Sequence, residues 1–354
     1  MNSLDASSAV LYRRVGDGRI NLSSNELIHP DLPAMVEAAF QRLHPSSFST
    51  YPRYDEDTAE IAGMLHLNVQ EFILVPGTDS AIRMLGRFAA RRRNRISRII
   101  LQTPNYYAWE QVARDWSVPL QQVTWTDIEA QGAELIAAAS ASSEAMIAFS
   151  LPNAPIGGCL TEAEVDRLIE LARTRGHLVV IDCCYQAFNG PLRAHLLRCQ
   201  THVLVLQSLS KSHGLAGFRI GVLCGDPAII AKLARDRIEH SVSAPAMKMA
   251  QAMLQQETRF ARIWQDIRAV RTRTSRALAG LKFTPIRSGG NFITFRTQSS
   301  DEAAMLSAGM SDAGFRIKSF QRRTPFDTCL RLTVADDVMM GRAVEVLARI
   351  RTPP

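Results

Sequence analysis

SLSKSHGLAGFRIG, Ser208 to Gly221, follows the apolar run HVLVLQ (His202 to Gln207) and leads into GVLCG (Gly221 to Gly225). An apolar run that gives way to small and polar residues reads as a buried strand opening into a turn. Working outward, FILVPG, RIILQTP, MIAFSLP, HLVVIDCCY and RIGVLCG repeat the same pattern between Phe72 and Gly225. These runs are apolar throughout rather than alternating, as expected when helices cover both faces of a sheet. Amphipathic stretches lie between them, such as Thr161 to Thr174 with Val165, Leu168, Ile169 and Leu171. The βαβα order implies an α/β fold with a mostly parallel central sheet. The last third differs. A long helical pattern covers about Asp226 to Gly280, with a break expected near Thr258. Short strands (NFITFRT, RIKSF, CLRLTVA) and helices (Asp301 to Ala313, Asp336 to Arg349) follow, and they read as a smaller α+β C-terminal domain.

At 354 residues the chain is long enough for about two domains. We divide it into a segment 1–40 that packs on the smaller domain, a large α/β domain 41–250 and a small α+β domain 251–354. With 46% apolar and 21% charged residues, it can bury a core without staples. The six cysteines show no metal-ligand or disulfide-framework spacing, so reduced thiols and no metal site are expected. No apolar run approaches the roughly 18 residues of a membrane span. The start, MNSLDASSAVLYRR, lacks the features of a secretory signal, so a cytoplasmic protein is expected. The formal charge is +7, and the densest basic run is Arg87 to Arg98. Phe88 is the one aromatic residue within it, short of the interleaved set that a stacking platform would need, so it reads as the solvated end of a helix, with no nucleic-acid partner.

Lys211 in the opening stretch has a chemical task available to it. Its amine must shed a proton to attack an aldehyde, and an apolar, crowded setting disfavours the ammonium. Ser208 three residues earlier and Arg219 eight later offer a hydroxyl and a guanidinium to a phosphate group. Gly214 and Gly217 let the backbone pass close to a ligand.

Ser-x-Ser-Lys followed by Gly-Leu-Ala-Gly-x-Arg-x-Gly resembles the cofactor-lysine signature of fold-type I pyridoxal-phosphate enzymes. Among them the chain is most similar to class I/II aminotransferases of the histidinol-phosphate aminotransferase branch, from about Asn21 to Ala335. The resemblance implies the PLP-transferase (aspartate aminotransferase-like) fold, pyridoxal 5'-phosphate as cofactor, and Lys211 holding it as a Schiff base. In IDCCYQAF, the family's Asp-x-x-Tyr maps onto Asp182, which would keep the pyridine nitrogen protonated, and Tyr185, which would bond the 3-oxygen. Cys184 would pack on the ring face. VPGTDSAIRML resembles the phosphate loop, with Gly77, Thr78 and Asp79 at a helix N-terminus whose unpaired N–H groups suit a phosphate. TPNYYAW assigns Tyr106 to stacking on the ring. STYPRYDED resembles the Tyr-Pro element by which Tyr51 would touch the neighbouring subunit's cofactor phosphate, which makes a homodimer part of the site. CLRLTVADD places Arg331 on the substrate's acidic group, NLSSNEL places Asn25 at the substrate mouth, and Lys318 in GFRIKSF stands near the substrate's far end.

One loop departs from the family. In SLPNAPIGGCL the position that normally donates to the 3-oxygen is Ala154, the Thr is Ile156, and Asn153 remains one residue early among the expected cofactor contacts. The implied function is transfer of an amino group between an amino acid, or an amino-phosphate compound, and a keto acid. Two other readings stand beside it: a pyridoxal-phosphate lyase, cyclase or decarboxylase, and a non-catalytic ligand-binding protein. Fold alone does not separate them.

Overall fold

The six apolar runs all form strands in a computed structural model, which describes residues 18–91, 94–124, 131–190, 201–320 and 325–351. After β1 (Ile20–Asn21), they are β2 (Phe72–Val75), β3 (Ile99–Thr103), β5 (Met146–Ser150), β6 (Leu178–Asp182), β7 (Val203–Ser208) and β8 (Gly221–Gly225). β4 (Leu120–Thr124) completes a seven-stranded sheet of order β2-β8-β7-β6-β5-β3-β4. Only β8 runs against its neighbours, pairing antiparallel with β2 and β7. β4 escaped the sequence reading because it is LQQVT. An edge strand paired only with β3 is half exposed and need not be apolar.

Successive residues of each strand enter opposite cores. Ile147, Phe149, Val179 and Ile181 pack on one face of the sheet, while Met146, Ala148, Leu178 and Val180 pack on the other. The helix expected over Thr161 to Thr174 spans Glu162–Arg175. Thr161 and Glu164 form a reciprocal capping box at its start, and Gly176 ends it at φ +69°.

The helical stretch after Asp226 is divided differently from expectation. Helices span Pro227–Ala234, Ala244–Leu254 and Glu257–Gly280. The break expected near Thr258 falls at Gln255–Gln256. A second break precedes Ala244, where the Ser243 hydroxyl accepts from the Ala246 N–H and Pro245 sits in the first helical turn, a position that tolerates its missing N–H.

RIKSF is also divided. β11 (Phe315–Arg316) pairs in parallel with β1, whereas β12 (Lys318–Ser319) joins an antiparallel sheet of order β12-β13-β10-β9. There β9 is Thr284–Pro285, β10 Phe292–Arg296 and β13 Cys329–Thr333. β1 thereby ties the N-terminal segment to the C-terminal third, and residues 1–17 of that segment lie outside the described residues. In the basic run, Arg87 and Arg91 both meet the buried Asp236 carboxylate, and Arg95 lies 3.0 Å from Glu144. Arg92 and Arg93 lie outside the described residues. No described helix is long and apolar enough to cross a membrane.

Candidate active site

The parallel strands end together, and their C-terminal ends bring Thr103, Asp182 and Ser208 to one wall of a cleft of about 880 Å³. Ligand sites in open α/β sheets form at this edge, where the backbone leaves the sheet and side chains converge. Residues from β12, β13 and the loop after β1 close the opposite side.

Lys211 lies on the helical turn Leu209–Ser212 that follows β7. The Ser208 hydroxyl caps that turn by accepting from the Ser210 N–H at 3.2 Å. Trp264 donates its indole N–H to the Ser212 carbonyl at 2.7 Å, which holds the far end of the turn. His213 packs against Phe260 and Trp264, and burial pushes its imidazole down to about 3, so it stays neutral. The half-buried Lys211 amine donates to the Ser24 carbonyl at 2.8 Å. Ser23 and Ser24 were not singled out from sequence, since a main-chain acceptor leaves no side-chain signature.

Asp182, the last residue of β6, is 8% exposed. Its Oδ1 accepts from the Cys184 N–H at 3.0 Å. Burial raises the pKa of its carboxyl, while that hydrogen bond acts in the opposite direction. The Cys184 thiol lies 3.7 Å from the Thr78 hydroxyl, and burial beside Asp182 pushes it well up. Tyr185 accepts at its hydroxyl from Asn25 Nδ2 at 3.2 Å and packs edge-on against Phe292.

Thr78 and Asp79 open the helix Thr78–Ala90 beside the cleft. Arg219, in the left-handed region at φ +52°, reaches across to Asp79 Oδ2 at 2.7 Å. Gly77 makes this approach possible. A Cβ there would lie 2.4 Å from Arg219 Nη2, so any other residue would displace the guanidinium. The result is a cradle of cation, hydroxyls and helix N-terminus, which suits a phosphate.

Tyr106 lines the cleft and packs on Tyr107 with ring centroids 4.7 Å apart. Burial, with Tyr107 and Asp79 alongside, pushes its hydroxyl pKa up. Arg331 is buried on β13. Its Nη2 donates to the Ser23 carbonyl at 2.8 Å, its guanidinium lies over Phe292, and its Nε has no partner among the described residues. Burial, the largest influence, lowers its pKa. Lys318 pairs with Arg331 across β12 and β13 and is exposed at the cleft mouth. Asn25, at φ +53°, is 1% exposed and held by Thr333 and Asn291.

Three expected contacts lie off the cleft wall: Gly77, which sits behind the Arg219 guanidinium, Asn153 and Tyr51. Asn153 is fully buried; its amide donates to Gln102 Oε1 at 3.2 Å and to the Pro104 carbonyl at 3.0 Å, so it braces β5 against β3. Its inclusion among cofactor contacts is therefore corrected, while Ala154 does line the cleft. Tyr51 is 83% exposed, packs on His240 and is absent from the lining of its own chain's cleft. The lining also includes Asn105, Glu110, Gln122, Phe320 and Phe326, which the sequence reading passed over.

A family model described as aminotransferase class I and II matches residues 17–347. A histidinol-phosphate aminotransferase from Methylibium petroleiphilum is 30% identical over 90% of this chain and 85% of its own length. Among solved structures, histidinol-phosphate aminotransferase from Sinorhizobium meliloti, in complex with pyridoxal-5'-phosphate, superposes with a TM-score of 0.79 at 20% identity. That match covers 93% of this chain and 90% of that one. A mutant aspartate aminotransferase from Thermus thermophilus gives 0.75 at 17% identity, covering 99% and 100%. At those identities the two structures speak to the fold, which is the aspartate aminotransferase-like one.

Proposed function

The chain belongs to the aminotransferase class I and II family, and from that membership we propose how its own residues carry out amino transfer. It is a pyridoxal-phosphate-dependent aminotransferase. When bound, the cofactor supplies an aldehyde that takes up the amino group and a ring that accepts electrons from the substrate carbon.

The residues present fit that cofactor. The Gly77 cradle brings Arg219 to the helix N-terminus at Thr78, where a phosphate would be held, with Ser208 nearby. Lys211 presents the amine that would anchor the aldehyde. Asp182 supplies a buried carboxylate for the ring nitrogen, while Tyr106 and Cys184 offer the two ring faces. The observation that carries the reading is the meeting of Lys211, Asp182 and Arg219 on one cleft, from three separate elements.

Once released from the aldehyde, Lys211 would serve as general base, its Nζ taking the proton from the substrate's α-carbon and delivering it to the carbon that carried the aldehyde oxygen. Its hydrogen bond to the Ser24 carbonyl orients the amine for both transfers. Tyr185, whose hydroxyl accepts from Asn25, would donate to the cofactor's 3-oxygen. Arg331 binds the substrate's carboxylate or phosphate, and its partnerless buried Nε supports that role, since an unpaired buried donor is costly. Lys318 adds a second cation at the mouth. The curated relative is a histidinol-phosphate aminotransferase, so amino-phosphate compounds stand beside amino acids as donors. We further propose that the enzyme works in the cytosol as a homodimer, with the exposed Tyr51 reaching the partner's cleft.

The test is to incubate the cofactor-loaded enzyme with each amino acid and with histidinol phosphate, using 2-oxoglutarate as acceptor. Formation of the matching carbonyl product together with glutamate is expected for at least one donor. Release of ammonia or CO₂ in its place would overturn transamination. Ala154→Asn, which restores a donor on the cleft wall, should move the titration of the enzyme's visible absorption band to lower pH. An unchanged midpoint would show that the 3-oxygen already has its full set of donors.

A further inference from the structure

The cleft has two chemically opposite ends. Arg331 and Lys318 make one cationic. The other lies at the far edge of the large sheet, where Glu110, Gln122 and Thr124 line the same cavity. β4 lies three strand spacings from β6, which carries Asp182, or about 14 Å. Leu120 of β4 and Trp109 pack in the same core, while Val123 packs against the opposite one. Strand alternation therefore turns Gln122 and Thr124 toward the face that carries the helix Ala108–Asp115 and Glu110.

This end is rich in acceptors. A carboxylate accepts only, the Gln122 amide offers an oxygen, and the Thr124 hydroxyl lies 3.1 Å from that of Thr103. Glu110 is only loosely engaged. Its ion-pair partner is Arg114, at 3.9 Å, with the two side chains 71% (Arg114) and 41% (Glu110) exposed. Such exposed pairs hold weakly. A place in the first helical turn would favour a carboxylate anywhere around the axis. It does not require one that faces the cleft.

We propose that Glu110, with Gln122 and Thr124, forms a specificity subsite for the end of the substrate opposite Arg331 and Lys318, and that this end is a hydrogen-bond-donating cation. The assignment of the anionic end to Arg331 rests on the function proposed above, whereas the subsite rests on the cleft's opposite wall. The substrate is thus dipolar: an anionic group near Arg331 and Lys318, the reacting amine by Lys211, and a guanidinium, ammonium or protonated heteroaromatic group at Glu110.

Calorimetry on the cofactor-loaded enzyme tests this with probes that lack the reacting amine: ω-guanidinoalkyl phosphates with three- to six-carbon linkers, against uncharged alkyl phosphates of equal length. At least one guanidino probe should bind about 5-fold more tightly than its uncharged match, the scale of a partly exposed ion pair of about 1 kcal/mol. Glu110→Gln should abolish that preference while the affinity of the uncharged probe holds. Equal or undetectable binding of both members of every pair, or a preference that survives in Glu110→Gln, overturns the subsite. Failure of the transaminase reading would show separately, as a lack of carbonyl product from any amino donor.

Discussion

Lys211→Ala is expected to lower kcat/KM by about 10⁴-fold, the upper range for loss of a positioned general base, and to abolish the cofactor adduct that borohydride reduces. The amine sits on a turn fixed at both ends, by the Ser208 cap and by the Trp264 bond to the Ser212 carbonyl. Truncating its side chain removes the amine and leaves the turn in place. The bond lost, from Nζ to the Ser24 carbonyl, belongs to a half-buried side chain, so thermal stability should change little. Exogenous small amines should restore part of the turnover, because the variant keeps the cleft and loses the amine that both anchors the aldehyde and carries the proton. Single-turnover kinetics and mass spectrometry after borohydride treatment check both expectations. Full activity in this variant would remove Lys211 from the chemistry.

The second large effect concerns Asp182. Asp182→Asn keeps an oxygen that can accept from the Cys184 N–H but removes the charge. Activity should fall by about 10²- to 10³-fold, the scale of one preorganised electrostatic contact. Stability without cofactor should move the other way. Burial raises the Asp182 pKa in the folded chain, so the folded state favours the protonated form. A raised carboxyl pKa contributes stability below the unfolded value, near pH 4, and that contribution is lost as pH rises toward the folded value. At pH 7 the wild type has therefore lost stability through this group relative to pH 4, whereas the asparagine variant, which does not titrate there, has not. The cofactor-free variant should melt higher than the wild type at pH 7, with the difference closing near pH 4. Thermal melts across that range check the sign, and a variant that melts lower at pH 7 would contradict it.

The geometry explains why two such changes can separate activity from folding. Asp182 ends β6 and Lys211 lies on the turn just after β7, on the cleft side of a sheet whose two cores are filled by other residues.

Parts of this arrangement were legible in the chain alone. Continuous apolar runs marked β2, β3 and β5 through β8, because a strand covered on both faces must be apolar on both. Lys211, Asp182 and Arg219 stood out because they flank such runs, Asp182 closing one, Lys211 following one and Arg219 preceding one, with spacing that resembles a known signature. β4 was not legible, since an edge strand faces solvent and LQQVT satisfies that. RIKSF read as one strand, yet Phe315–Arg316 and Lys318–Ser319 pair with different sheets, a choice made by distant partners.

By itself, then, the sequence determined the layered α/β plan and the presence of Ala154 at the loop position discussed above, because these depend on local pattern and residue chemistry, while its resemblance to a known signature pointed to Lys211, Asp182 and Arg219. Tertiary structure alone decided that the Ser24 carbonyl orients Lys211, that Asn153 turns inward to Gln102, and that Glu110 shares a cleft with Arg331. Those facts depend on which segments, far apart in the chain, come to lie within a few ångströms, and no local periodicity encodes such a meeting.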